Sequence, residues 1–225
     1  MIRALIVCFV GLGSPLVAQR IHLSPVDQAE KDPTLTIFRT QLLTDIIARD
    51  TEAVVAASCN QIYLSHGGNG GHDEFRHNLT LPEESLSEEY RPQADALREA
   101  YWKNLQKTLQ QPGYFADSAE FLMPFHWQID LPDEIDIFEA YFVNGRHVAL
   151  RQSADSKATI LEQISHEVVT IAKFDENALY QHVTIGDSRT GYMHRDYLWP
   201  IVGYRASLTK TANGDWQLCS FVAGD

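Results

Sequence analysis

His66, His72 and His77 surround the run Gly67-Gly68-Asn69-Gly70-Gly71, and Asp73 and Glu74 follow it directly. Imidazoles and carboxylates this close together are the donor types of a metal centre. Their spacing opposes that use. His72 and His77 stand five apart, which on a helix turns one from the other by about 140°, whereas metal-binding helices space their histidines three or four apart. Asp73 and His77 have the i, i+4 relation of a surface ion pair instead. The glycines free the backbone to approach an anion where a helix starts. However, Asp73 and Glu74 put two carboxylates on that first turn, compensating the helix dipole and repelling phosphate, and no lysine follows in the nucleotide-loop pattern. The run reads as a tight strand-to-helix turn. No metal and no cofactor are expected.

Catalytic patterns are equally thin. His166-Glu167 lacks the second histidine of a zincin helix, no Gly-x-Ser-x-Gly elbow is present, and no pattern singles out a Cys–His nucleophile. Asp130, Asp133, Glu134, Asp136 and Glu139 follow one another with no Lys or Arg among them, the mark of a solvated connection and not of an acid–base pair. No catalytic residue is assigned and a non-enzymatic protein is expected. Aromatic residues offer more. In a strand over 180–185 that points Val183 and Ile185 inward, Tyr180, His182 and Thr184 point outward. Tyr192, Tyr197 and Trp199 come near them if the following strands fold back. Rings with polar tips are platforms for peptide or sugar, although Tyr192 and Tyr197 equally suit the core or rim of a small β domain. Tyr180, His182, Tyr192, Tyr197 and Trp199 form the candidate ligand-binding set.

The elements that must position these residues differ between the two halves. Asp32-Pro33 is a cap followed by a first-turn proline, and Phe38, Leu42 and Ile46 repeat every four residues behind it. Asp50 restarts a short helix carrying Val54 and Val55, and 59–65 alternates as a strand. Ser85 and Glu88 have capping-box spacing, and Leu97, Tyr101, Leu105 and Leu109 form a helical ladder that Pro112-Gly113 stops. Phe121, Met123, Phe125, Trp127 and Ile129 alternate, which predicts a strand that Pro124 confines to an edge or a bulge. From about residue 137 onward short strands follow one another with turn residues between them, the pattern of a small barrel or sandwich. Asn213-Gly214 marks a final hairpin.

The chain has 225 residues, 44% of them hydrophobic and 21% charged, a globular composition. With 18 Lys plus Arg against 30 Asp plus Glu, its net charge is −12. No basic run offsets that, so nucleic-acid binding is not expected. Arg3 precedes an apolar stretch over 4–12, and Ser14-Pro15 and Leu16-Val17-Ala18 follow, which is the form of a secretory signal peptide cut near Ala18. The expectation is a periplasmic or secreted protein with no transmembrane segment in its mature chain. Cleavage leaves Cys59 and Cys219. One bridge between them, closing a long loop, and two separately buried thiols both satisfy the sequence.

The stretch from about Phe142 to Trp199 resembles a bacterial SH3-like domain. Val148-Ala149-Leu150-Arg151, the segment 158–168, Gly191-Tyr192-Met193 and Asp196-Tyr197-Leu198 carry the resemblance. Two features depart from the family: Ala178-Leu179 stands where a Trp is usual, and Gln152-Ser153-Ala154-Asp155 replaces a Ser-Gly-Pro loop. The helix-helix-strand order of the first half is similar to cone-shaped α+β folds of the nuclear transport factor two class. Together these likenesses imply an α+β protein: a signal peptide over 1–18, an N-terminal lobe over 20–136, and an SH3-like antiparallel barrel with an extra hairpin over 137–225. They imply a non-catalytic role at the cell envelope, binding a peptide, peptidoglycan or an envelope protein through the barrel. A second reading is a small-molecule-binding protein or enzyme with a pocket in the N-terminal lobe near Tyr101, His126 and Trp127, and a third is an inhibitor or assembly factor acting through the acidic surface.

Overall fold

A computed structural model describes residues 20–186 and 188–224. The expected signal peptide lies outside them. Helices α1 (Pro33–Ala48) and α2 (Thr51–Ala56) lead into strand β1 (Ser58–Tyr63). Helices α3 (Gly71–Thr80) and α4 (Ala94–Leu109) follow, then strands β2 (Tyr114–Phe115) and β3 (Glu120–Met123). The second half holds β4 (Ala140–Val143), β5 (Val148–Arg151), β6 (Ile160–Ile164), β7 (Val168–Thr170), β8 (Tyr180–Ile185), β9 (Thr190–His194), β10 (Leu198–Pro200), β11 (Arg205–Lys210) and β12 (Trp216–Val222).

Local chemistry accounts for the first helices. The Asp32 carboxylate accepts from the Thr34 and Leu35 backbone N–H groups at 2.9 and 3.4 Å, while Pro33 takes the first helical position. Asp50 caps α2 by accepting from Ala53 N–H at 3.0 Å. Leu35, Leu42 and Ile46 of α1 are buried with Val54 and Val55 of α2. The glycine run is a turn, with Gly70 and Gly71 at φ +67° and +83°, where a side chain is strained. The Glu74 carboxylate accepts from Gly70 N–H at 2.8 Å, so the start of α3 is already occupied by an anion from the chain itself. His66 and His72 are likewise engaged, with the Tyr63 hydroxyl at 2.7 Å and the Ser58 carbonyl at 3.2 Å. Asp73 pairs with Arg76 at 3.4 Å, not with His77 as its spacing suggests.

Two expectations fail at prolines. The strand begun at Phe121 ends at Met123, because Pro124 cannot donate to the ladder and 125–128 winds into a 3-10 turn. Strand β3 lies inside its sheet, between β11 and β2, and is not an edge. The capping box at Ser85 does not form. Ser85 hydroxyl bonds the Pro82 carbonyl at 2.6 Å, and α4 begins only at Ala94, after Pro92 in a 3-10 turn. The buried face of α4 is accordingly rotated from the expected ladder: Trp102, Leu105 and Leu109 are inside, whereas Leu97 is exposed.

A five-stranded sheet runs β1-β12-β11-β3-β2, with β1 and β12 parallel and the other pairs antiparallel. Helices α1–α4 supply much of its core, which includes Phe75, Leu79, Phe121, Leu218 and Phe221. The C-terminal hairpin therefore does not extend a barrel, as the SH3 resemblance implies, but completes the sheet of the first lobe. A seven-stranded antiparallel sheet runs β10-β4-β7-β8-β9-β5-β6. Its ends, β10 and β6, are not paired with each other, so the expected SH3-like barrel does not exist. The β10 end lies in the seam between lobes, where Trp199 and Ile201 join Phe142, Ile129 and Leu131 in one apolar cluster. Ile160 and Leu161 on β6 remain exposed at the far end. The cone-shaped likeness fails as well: the helix-helix-strand order is present, but it feeds an open sheet drawn from both ends of the chain, a general α+β arrangement.

Residues 20–28 strap the lobes together. Arg20 Nε and Nη2 donate to the two Glu167 carboxylate oxygens at 2.6 and 2.9 Å, and Nη1 to Glu162 at 2.7 Å. Val168 N–H donates to Ile21 O and Leu23 N–H to His166 O, both at 2.9 Å. At the other end Gln28 N–H donates to Gly113 O at 2.9 Å, and Asp27 pairs with Arg39 at 2.7 Å. The acidic connection also packs: Ile129, Leu131, Ile135 and Ile137 lie against the seam cluster while the acids between them face outward.

Candidate functional site

Alternation along β8 sets the site. Gln181, Val183 and Ile185 are buried, so Tyr180, His182 and Thr184 stand on the opposite face, as their spacing predicts. The register with β9 places Tyr180 opposite His194 and His182 opposite Tyr192. Both pairs meet edge to face, with ring centroids 5.1 and 5.2 Å apart. Strand β5 continues this outer face with Ala149 and Arg151, since Val148 and Leu150 point into the core. Arg151 is the register partner of Tyr192 on one side and of Ile160 on the other. Gly191 makes the close approach of β9 to β5 possible: a Cβ there would stand 2.8 Å from Leu150 Cδ1 and 2.9 Å from Arg151 O.

A groove of about 470 Å³ crosses this face. Tyr180, His194 and Tyr197 line it with Ala149, Gln163 and Ile160, and Arg146, His147, Arg151 and Asp196 supply its charged and polar groups. Tyr197 arrives from the 3-10 turn Arg195–Tyr197; its carbonyl accepts from Asn144 N–H at 2.8 Å. The Tyr197 ring lies over Gly145, where a Cβ would come within 3.2 Å of Tyr197 Cδ1. His194 Nδ1 lies 3.3 Å from the Asp196 backbone nitrogen and 3.6 Å from its carboxylate, so the turn holds the ring by that edge. Arg151 Nη1 donates to the Ala158 carbonyl at 2.9 Å. Among the described residues no carboxylate lies within 4.0 Å of the Arg146 or Arg151 guanidinium.

Of the candidate ligand set, Tyr180 and Tyr197 line the groove, and His182 and Tyr192 share its face one pair further along β8 and β9. Trp199 does not join them. It lies on β10, beyond the turn, where it meets the buried His126 ring edge-on at 5.8 Å. Arg146, Arg151 and His194 complete the lining and were not in the set; the alternation rule that singled out Tyr180 also turns Arg151 outward beside Val148 and Leu150. Compared with known protein families and with curated proteins, the sequence matches none.

Tyr101, His126 and Trp127 do not share one pocket; Tyr101 lines a depression of about 350 Å³ on the first lobe with Leu81, Leu97 and Tyr204, and the other two lie elsewhere. Tyr101 packs on Phe221 and Tyr204, Trp127 lies under the Arg205 guanidinium at 4.8 Å, and His126 stacks on Phe142 at 4.6 Å. These are three separate packing sites. Burial holds Tyr101 above the usual phenol range and pushes His126 down to about 3. Cys59 and Cys219 are joined as a disulfide between β1 and β12, with Cα atoms 4.9 Å apart. Among the described residues no helix is long and apolar enough to cross a membrane, and no cluster of three or more His, Cys, Asp or Glu could hold a metal. With no barrel present, the expected engagement of peptide or peptidoglycan through an SH3-like domain has no structural basis.

Proposed function

We propose that this chain is a non-catalytic binding protein whose outer-face groove takes a small anionic ligand with a flat apolar face. The observation that carries this reading is the placing of Arg146 and Arg151, unpaired with any described carboxylate, in one groove with the rings of Tyr180 and Tyr197. In a chain of net charge −12, uncompensated guanidinium groups beside aromatic rings favour a carboxylate or similar anion over a neutral compound. The rings supply a surface for the apolar face of the ligand, and His194 supplies a polar ring edge in the same lining. A uronic acid has all three features: a carboxylate, a C–H face and hydroxyls. The Cys59–Cys219 disulfide supports work in an oxidising compartment outside the cytoplasm, consistent with the signal-like N-terminus.

Thermal unfolding in the presence of glucuronate, galacturonate and benzoate, against glucose as the neutral control, tests this reading. A bound acid at a hundredfold its Kd stabilises the fold by about 2.7 kcal/mol, and Arg151→Gln or Tyr180→Ala removes the gain while leaving the unliganded melting temperature near wild type. If glucose stabilises as well as the acids do, or if both variants keep the full shift, the groove is not the site.

A further inference from the structure

A second cleft, of about 680 Å³, opens where α4 of the first lobe faces the β10 end of the second. Lys103, Lys107 and Arg195 line it, together with Asn104 and Trp199, and Asp196 lines both it and the first groove. The two depressions thus meet at the turn Arg195–Tyr197. Arg20, Arg39, Arg49, Arg76, Arg98, Arg189 and Lys210 each bind a carboxylate. Lys103, Lys107 and Arg195, like Arg146 and Arg151, have none within 4.0 Å among the described residues. Lys103 and Lys107 stand one turn apart on the same helix face, an arrangement of like charges that is unfavourable without an anion nearby. Lys31, Arg91, Lys157, Lys173 and Arg205 also lack such a carboxylate, so five of the ten described cations without one line these two adjoining depressions.

Resting on the reading of the first groove, we propose that the ligand is a linear acidic glycan, one end seated on Tyr180 and Tyr197 and the chain crossing the turn into the cleft beside α4. The lining identifies the polymer. Glu176 and Asp196 are carboxylates set among the cations; they accept hydrogen bonds from sugar hydroxyls, donors that a deoxynucleotide backbone does not offer. Asn104 provides amide groups for the same hydroxyls, and Trp199 offers a second ring for a sugar face. Asn144 Nδ2 donates to Gln111 Oε1 at 2.7 Å within the cleft lining, joining the two lobes there.

Isothermal titration with galacturonic acid, hexagalacturonate, neutral cellohexaose and the oligonucleotide (dT)10 tests the proposal. Hexagalacturonate is expected to bind at least tenfold more tightly than the monomer, cellohexaose and (dT)10 much more weakly, and the double variant Lys103→Gln/Lys107→Gln to bring the hexamer down to the monomer's affinity. Equal affinity for monomer and hexamer, or a double variant that binds the hexamer like wild type, overturns the extended site while leaving the first groove standing. Binding of (dT)10 as tight as that of hexagalacturonate overturns the glycan assignment. If folded wild-type protein binds neither uronate, both this proposal and the groove on which it rests fail.

Discussion

Cys59 on β1 and Cys219 on β12 are covalently joined where two neighbouring strands run parallel, although 160 residues separate them in sequence. The bond closes a loop that holds the second lobe and part of the first, with residues 20–58, including α1 and α2, outside it. In the chain-entropy account a loop of that length restricts the unfolded state by roughly 4–5 kcal/mol. The double variant Cys59→Ala/Cys219→Ala should therefore lower stability by several kcal/mol in urea titrations. A variant as stable as the oxidised wild type would show that pairing of β1 with β12 is held by packing alone.

His126 makes the seam between lobes sensitive to acid. Its ring lies on Phe142 and against Trp199, and burial alone pushes its pKa down to about 3. In the unfolded chain it takes up a proton near the ordinary value of about 6.5. Between those values the unfolded state binds more protons, so stability is complete above about 6.5 and falls with decreasing pH by up to about 1.4 kcal/mol per unit. His126→Phe keeps a ring in the stack and removes the proton. Between pH 7 and pH 4 wild type should lose about 3 kcal/mol more than the variant. Asp32, held low chiefly by Lys210 at 2.7 Å, is lost to acid in both proteins and cancels in the comparison. Parallel pH curves for the two would mean that His126 is not charged on unfolding in this range.

These two features differ in how far the sequence announced them. Caps and alternation are local, so Asp32, Asp50 and the outward row on β8 were legible from spacing. Strand neighbours are not. Nothing near residue 59 says that β1 will lie beside β12, or that the last hairpin will return to the first lobe's sheet. The motifs Val148–Arg151 and Gly191–Met193 do mark adjacent strands, β5 and β9, but adjacency of two strands does not close a sheet. Whether β10 meets β6 depends on what else covers β10, and that is the seam cluster of Ile129, Leu131 and Ile201. The acidic connection hid this role because its charges outnumber its isoleucines, while Ile129, Leu131, Ile135 and Ile137 are the residues packed against the cluster.

Gly191 gives a test of the β5–β9 contact that underlies the groove. A methyl group there would press on Leu150 Cδ1 at 2.8 Å and on Arg151 O at 2.9 Å, closer than side chains approach backbone. Gly191→Ala should cost roughly 1–3 kcal/mol in thermal or urea unfolding. Because the displaced strand carries Arg151's register partner Tyr192, ligand affinity should fall too. Unchanged stability would mean that β9 can move away from β5 at little cost.

Salt separates the two kinds of contact in the groove. Arg146 and Arg151 act through charge across a solvent-filled depression, and such interactions weaken as the Debye length contracts from about 10 Å at 0.1 M to about 3 Å at 1 M salt. Tyr180 and Tyr197 act through apolar contact, which salt does not weaken. Wild-type affinity for galacturonate should therefore fall as salt is raised over that range. Arg151→Gln should bind weakly at low salt and change little further, since much of the screened part is already gone. Tyr180→Ala should bind weakly at every salt concentration yet keep the wild-type slope, because its cations remain. If the slope survives Arg151→Gln and disappears in Tyr180→Ala, the assignment of anion to arginine and sugar face to ring is reversed. The two substitutions thus report on different atoms of one ligand, which a loss of folding in either variant would not imitate.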